Sequence, residues 1–89
     1  MIIYFKPHCP YCTTLSSLMS NNQSTVFDRI PGVEARPSTH PEYIKDQQKH
    51  GYFTVPMLIT SSGKNLKGFD ANYEKILKVG TQQFLADNP

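Results

Sequence analysis

"MIIYFKPHCPYCTTLSSLM", residues 1–19, changes its hydrophobic period in the middle, and that change sets the architecture. Met1 to Phe5 is a nearly continuous apolar, β-branched and aromatic run, the pattern of a strand covered on both faces. Lys6-Pro7 ends it. From Cys9 onward the apolar residues fall at Tyr11, Cys12, Leu15, Leu18 and Met19, one stripe of an amphipathic helix that runs out in Asn21-Asn22-Gln23. A doubly covered strand feeding straight into a helix is the start of a βαβ unit, so the class is α/β with a parallel neighbour for the first strand.

The remaining elements are placed on that basis. Thr25 to Ile30, closed by Pro31-Gly32, is expected to be the second strand, with Gly32 to Ser38 as a loop. Thr39-x-x-Glu42 has capping-box spacing, which predicts a helix from Pro41 to a stop at Gly51, with Tyr43 and Ile44 facing the core. Val55 to Thr60 reads as a strand, Ser61 to Lys64 as a turn, and Asn65 to Gly68 as the returning arm of a hairpin. Asp70 is positioned to cap a helix carrying Tyr73, Ile76 and Leu77 that stops at Gly80. Thr81 then caps a short turn through Phe84 and Leu85. The expected fold is one four-stranded mixed sheet, βαβαββα, with helices on both faces and a single domain over residues 1–89.

Composition excludes several roles. The 89 residues carry nine Lys+Arg against seven Asp+Glu, net +2, with the basic residues scattered, so no dense cationic face for nucleic acid is expected. No apolar run approaches the length of a membrane span, and Met1-Ile2-Ile3 lacks the basic start of a secretory leader. A cytoplasmic protein follows. In that compartment a lone cysteine pair is more often catalytic or metal-binding than structural.

Cys9 and Cys12 are the only cysteines. As a staple the pair constrains little, because it closes a tiny loop. As a zinc site it lacks two of four ligands, and His8, His40 and His50 form no suitably spaced pair, so no metal is expected. Two inert core cysteines are the remaining bland reading. As a redox couple the spacing makes sense. With Cys9 at the helix N-cap, Pro10 occupies N1 and the free N–H groups of Tyr11 and Cys12 point back at the Cys9 sulfur, where donors and helix dipole favour an anion. Cys12 lies one turn on, its Cα about 5 Å away by helix geometry, within disulfide reach. Cys12 also falls on the core stripe, which makes Cys9 the attacking thiol and Cys12 the resolving one.

A second signal is Thr54-Val55-Pro56. Proline in an apparently central strand is tolerated only at its first residues in a special turn, such as one with a cis peptide. CPYC at a strand-to-helix turn, TVP about forty-five residues later and Gly68-Phe69-Asp70 before the last long helix together resemble the glutaredoxins, which have a thioredoxin-like fold. The resemblance implies a glutathione-dependent thiol-disulfide oxidoreductase acting on protein disulfides and glutathione mixed disulfides. Glutathione would be a co-substrate, with no tightly bound cofactor. It implies that Cys9 is the nucleophile and Cys12 the resolving thiol, and that Lys6 and Tyr11 flank glutathione. Thr54 and Val55 would be the segment, before a cis-proline at Pro56, whose backbone pairs with the glutathione cysteine, and Phe69 and Asp70 would receive its γ-glutamyl end. Such couples sit at roughly −200 to −230 mV, near the cytosolic glutathione poise. Ribonucleotide reductase is a client by family analogy, and a monomer is expected.

The chain departs from the pattern at three places: Lys67-Gly68 replaces a glycine pair, Tyr52-Phe53 stands where a Gln or Arg often precedes TVP, and Thr14 replaces a basic residue. These departures motivate an alternative, a small redoxin reduced by thioredoxin reductase. A third reading is a [2Fe–2S] scaffold shared by two protomers through Cys9 and glutathione, which Pro10 disfavours.

Overall fold

In the computed structural model, which describes residues Met1–Pro89, β1 (Ile2–Phe5) is the middle strand of a three-stranded mixed sheet of order β2-β1-β3. It runs parallel to β2 (Glu34–Pro37), with Ile2 opposite Glu34 and Phe5 opposite Pro37. It runs antiparallel to β3 (Met57–Ile59), with Ile3 opposite Leu58. Side chains alternate between the two faces of a strand, and here each face has its own core. Ile3 and Leu58 join the larger core. There they meet Cys12, Leu15 and Met19 of α1 (Pro10–Met19), Ile76 of α3 (Phe69–Val79), Phe84 of α4 (Thr81–Asp87) and the buried Phe27. Tyr4, Met57 and Ile59 face the other way, under Tyr43 of α2 (Tyr43–His50) and Tyr52. The class is thus mixed α/β with four helices, and helices pack on both sheet faces.

The expected second strand is not where the β-branched residues are. Residues 27–29 form a 3-10 turn, with Phe27 driven fully into the core. Serines redirect the backbone before it: the Ser20 hydroxyl accepts the Ser24 N–H and donates to the Ser24 carbonyl, and Ser24 Oγ bonds both backbone groups of Val26. These local bonds take the partners a ladder would use. The strand forms instead over Glu34–Pro37, inside the expected loop. A charged strand ending in proline suits a sheet edge, where one side makes no ladder bonds.

The fourth strand is also corrected. Only an isolated bridge, Ile59 to Asn65, and the bond from Leu66 N–H to the Leu58 carbonyl (2.9 Å) remain of the returning arm. Asn72 of α3 donates its side-chain amide to the Leu66 carbonyl at 2.8 Å, and Gly68, at φ 93°, turns the chain into α3. The sheet therefore closes at three strands.

Caps differ too. α2 begins after Glu42 with no Thr39–Glu42 box, because His40 Nδ1 accepts the Glu42 N–H at 3.1 Å. The cap of α3 is Gly68, which leaves Asp70 inside its first turn. Thr81 opens α4 but spends its hydroxyl on the Met19 carbonyl, 2.9 Å away, tying α4 to the end of α1. Ile44, expected in the core, is exposed, and so is Leu77 of α3. Gly51 ends α2 in the left-handed conformation as anticipated, at φ 62°.

Candidate active site around Cys9

The central pairing of β1 fixes the position of its C-terminal end, and the next residues turn directly into α1. His8 makes this turn in the left-handed region, at φ 58°. Cys9 follows in extended conformation as the N-cap, with Pro10 in the first turn. Its Sγ accepts the Cys12 N–H at 3.2 Å. One N–H reaches the sulfur rather than the two expected, since that of Tyr11 makes no such bond.

Across from this cap runs the segment leading into β3, where the Val55–Pro56 peptide is cis. The Cys9 thiol lies 3.9 Å from the Val55 carbonyl. Between the α1 cap and this segment opens a cleft of about 510 Å³. Cys9 and Pro10 stand on one side of it, with Thr54, Val55 and Pro56 opposite. Two aromatic banks flank them. The first is Tyr11 with Phe69, in edge-to-face contact at 4.8 Å, and Phe69 in turn lies 5.8 Å from Tyr73. The second comprises the remaining aromatic lining residues, Tyr43, Tyr52 and Phe53, of which Tyr43 and Tyr52 pack on one buried cluster. Lys6 supplies a cationic group to the lining and His8 an imidazole, and the lining contains no carboxylate.

Seven residues singled out from the sequence, Lys6, Cys9, Tyr11, Thr54, Val55, Pro56 and Phe69, therefore meet in one cleft. Asp70 stands apart from it, exposed on the first turn of α3. Cys12 also lies outside, bordering a smaller cavity of about 270 Å³ together with Phe5, Thr13 and Phe27. The two cysteines are free and almost equally buried, 6 % and 4 % exposed, so their difference lies in direction rather than in the extent of exposure. Cys9 borders the large cleft and Cys12 does not.

Burial pushes the Cys12 thiol up to about 12. The hydrogen bond and charge of Cys9 push the same way, while Lys6 opposes them. A neutral thiol at Cys12 is thus strongly preferred while Cys9 is also a free thiol or thiolate.

Sequence reasoning missed Tyr43 as a lining residue. Tyr43 carries no local signal, because only the docking of α2 on the Tyr4 face brings it to the cleft: its ring is 5.1 Å from that of Tyr4. No three His, Cys, Asp or Glu side chains are grouped to hold a metal ion, and no helix is long and apolar enough to cross a membrane.

None of the protein-family models, curated proteins or solved structures compared with the chain matches it significantly.

Proposed function

We propose that the protein is a glutaredoxin-like thiol-disulfide oxidoreductase with a thioredoxin-like arrangement of its sheet and first helix. The observation that carries this reading is the Cys9 sulfur. It sits at the N-terminus of α1, takes the Cys12 N–H at 3.2 Å and opens onto a cleft bordered by the backbone of residues 54–56. A helix N-terminus favours the anionic sulfur that thiol-disulfide exchange requires.

In the proposed cycle the Cys9 thiolate attacks one sulfur of a substrate disulfide. That S–S bond breaks, the leaving sulfur departs as a thiolate and takes up a proton, and a Cys9–substrate disulfide forms. Cys12 then gives up its proton and attacks the Cys9 sulfur, releasing the second substrate thiol and leaving a Cys9–Cys12 disulfide. Two electrons have passed from the dithiol to the substrate. Two glutathiones return them, the first forming a mixed disulfide and the second leaving with it as glutathione disulfide.

The order of these steps agrees with the electrostatics of Cys12. Two of the causes that raise it, the hydrogen bond and the charge of Cys9, belong to the free Cys9 sulfur. Both weaken once that sulfur is bound in a mixed disulfide, whereas the opposing effect of Lys6 remains. Cys12 thereby becomes more acidic at the step where it must attack.

The test is glutathione-dependent turnover of a glutathionylated peptide, coupled to glutathione reductase. Cys9→Ser should be inactive, and Cys12→Ser should remain active because glutathione itself can release Cys9. Activity in Cys9→Ser would refute the assignment of the nucleophile. A second reading is favoured by one observation: the cleft wall at Tyr52 and Phe53 is aromatic where a glutathione carboxylate would need a donor. If the protein is inert with glutathione yet reduces a protein disulfide with thioredoxin reductase as electron source, that reading replaces the first.

A further inference from the structure

The second aromatic bank is unusual for a site that would receive only a small polar tripeptide. Phe53 is 64 % exposed, a large apolar ring left in solvent next to Thr54 in the same cleft that Cys9 lines. Exposed apolar surface at a cleft marks a contact site more often than an isolated surface residue does. The other two rings of this bank are held in place. Tyr43 and Tyr52 pack on the buried Tyr4–Met57–Ile59 cluster, and Tyr4 is itself bonded through its hydroxyl to Asp46 of α2 and Arg36 of β2. Rings already ordered lose little freedom when they bind.

The backbone beside Phe53 is open as well. The N–H groups of Phe53, Thr54 and Val55 donate to no backbone acceptor, so donors are free here for the main chain of a bound segment. The one fixed charge of the lining, that of Lys6 with no carboxylate beside it, favours an anionic occupant. Glutathione could use the Lys6 cation and the free backbone donors. It has no bulky apolar side chain to fill the Tyr43–Tyr52–Phe53 bank.

We propose that this bank selects a protein segment as the preferred disulfide substrate: an extended chain with a bulky apolar residue beside its disulfide cysteine and a carboxylate close by. The inference rests on Cys9 being the attacking thiol, and it adds the substrate class. Covering about half of a phenylalanine ring in the bank corresponds to about a tenfold preference, or about 1.4 kcal/mol.

The test uses short blocked peptides, Phe-Cys-Glu, Ser-Cys-Glu and Phe-Cys-Lys, each joined through its cysteine to the same coloured aryl thiol. The reduced protein attacks the peptide sulfur and releases the aryl thiolate, whose rate of appearance is followed in single turnovers. Each rate is divided by the same variant's rate on hydroxyethyl disulfide. The expected result is Phe-Cys-Glu about tenfold faster than Ser-Cys-Glu, a ratio that falls toward one in Phe53→Ser. Phe-Cys-Lys should be about threefold slower than Phe-Cys-Glu at low salt, with the gap closing as salt is added. Equal rates for the phenylalanine and serine peptides, or a preference that survives in Phe53→Ser, overturn the inference while leaving the thiol chemistry intact. A dimer in sedimentation that Phe53→Ser dissolves also overturns it, because a second copy would then occupy the bank. No reaction with hydroxyethyl disulfide removes the underlying reading instead.

Discussion

Selective alkylation of Cys12 tests the buried-thiol argument most directly. The shift from the ordinary 9.0 to about 12 lowers the thiolate fraction about a thousandfold at any pH well below 9. Only the thiolate reacts with iodoacetamide. Brief pulses of reagent on reduced protein, with Cys12 read by peptide mass, should therefore show labelling about a thousandfold slower than in the same chain unfolded in urea. Shielding alone could also slow the reaction, but it predicts a different pH profile. A merely covered thiol of ordinary acidity would level off just above pH 9, whereas a thiol held near 12 keeps gaining tenfold per pH step up to the limit of the fold. Cys9→Ala removes the hydrogen bond and charge of Cys9 and leaves burial, the largest cause, in place. Its Cys12 should label faster than in the intact protein and still more slowly than in the unfolded chain. A plateau near pH 9, or native labelling within tenfold of the unfolded rate, would refute the reasoning.

The remaining predictions concern the fold that holds this site. Folded Cys12 keeps its proton to higher pH than unfolded Cys12, so the unfolded chain ionises first and stability should fall from about pH 9 toward 12; urea midpoints across that range would read it, with Tyr4 and Tyr43, both raised by burial, adding in the same direction at the upper end. Tyr4→Phe removes the hydroxyl that donates to Asp46 and accepts from Arg36 and should cost about 2 kcal/mol in urea unfolding, with faster amide exchange in α2. His8→Gly relieves a left-handed backbone, φ 58°, and should raise stability by about 0.5–1 kcal/mol by the same measurement. Phe84→Ala empties a site only 2 % exposed and should cost about 3–5 kcal/mol, seen as early proteolysis within α4.

Why the site was more legible than the sheet follows from where each lies. The cleft is built on the ends of β1 and β3, whose apolar residues leave them one arrangement, covered on both faces. Ile3, Tyr4, Met57 and Leu58 are all at most 1 % exposed. The cysteine cap and the Thr54-Val55-Pro56 segment are attached directly to those strands, so reading the strands placed both groups. The misread elements lie at the margin. An edge strand needs hydrophobicity on neither count, which is why Glu34-Ala35-Arg36-Pro37 gave no strand signal, and why the β-branched Thr25-Val26 pair could be diverted by the hydroxyls of Ser20 and Ser24. The returning arm after Gly63 was likewise lost to a single side chain, Asn72. Moving β2 by several residues changes which loop precedes α2, but it leaves β1 in the centre and hence the Cys9 cap where it was. The exception is Tyr43. It reaches the cleft through the packing of α2 on Tyr4, a contact between residues 39 apart in the chain whose partners are tied by Asp46 and Arg36. Local pattern carries no information about such a contact. Of the bank that would distinguish one disulfide substrate from another, Tyr43 is therefore set by tertiary docking, whereas Tyr52 and Phe53 come with the Thr54-Val55-Pro56 segment, as the exchanging cysteines come with β1.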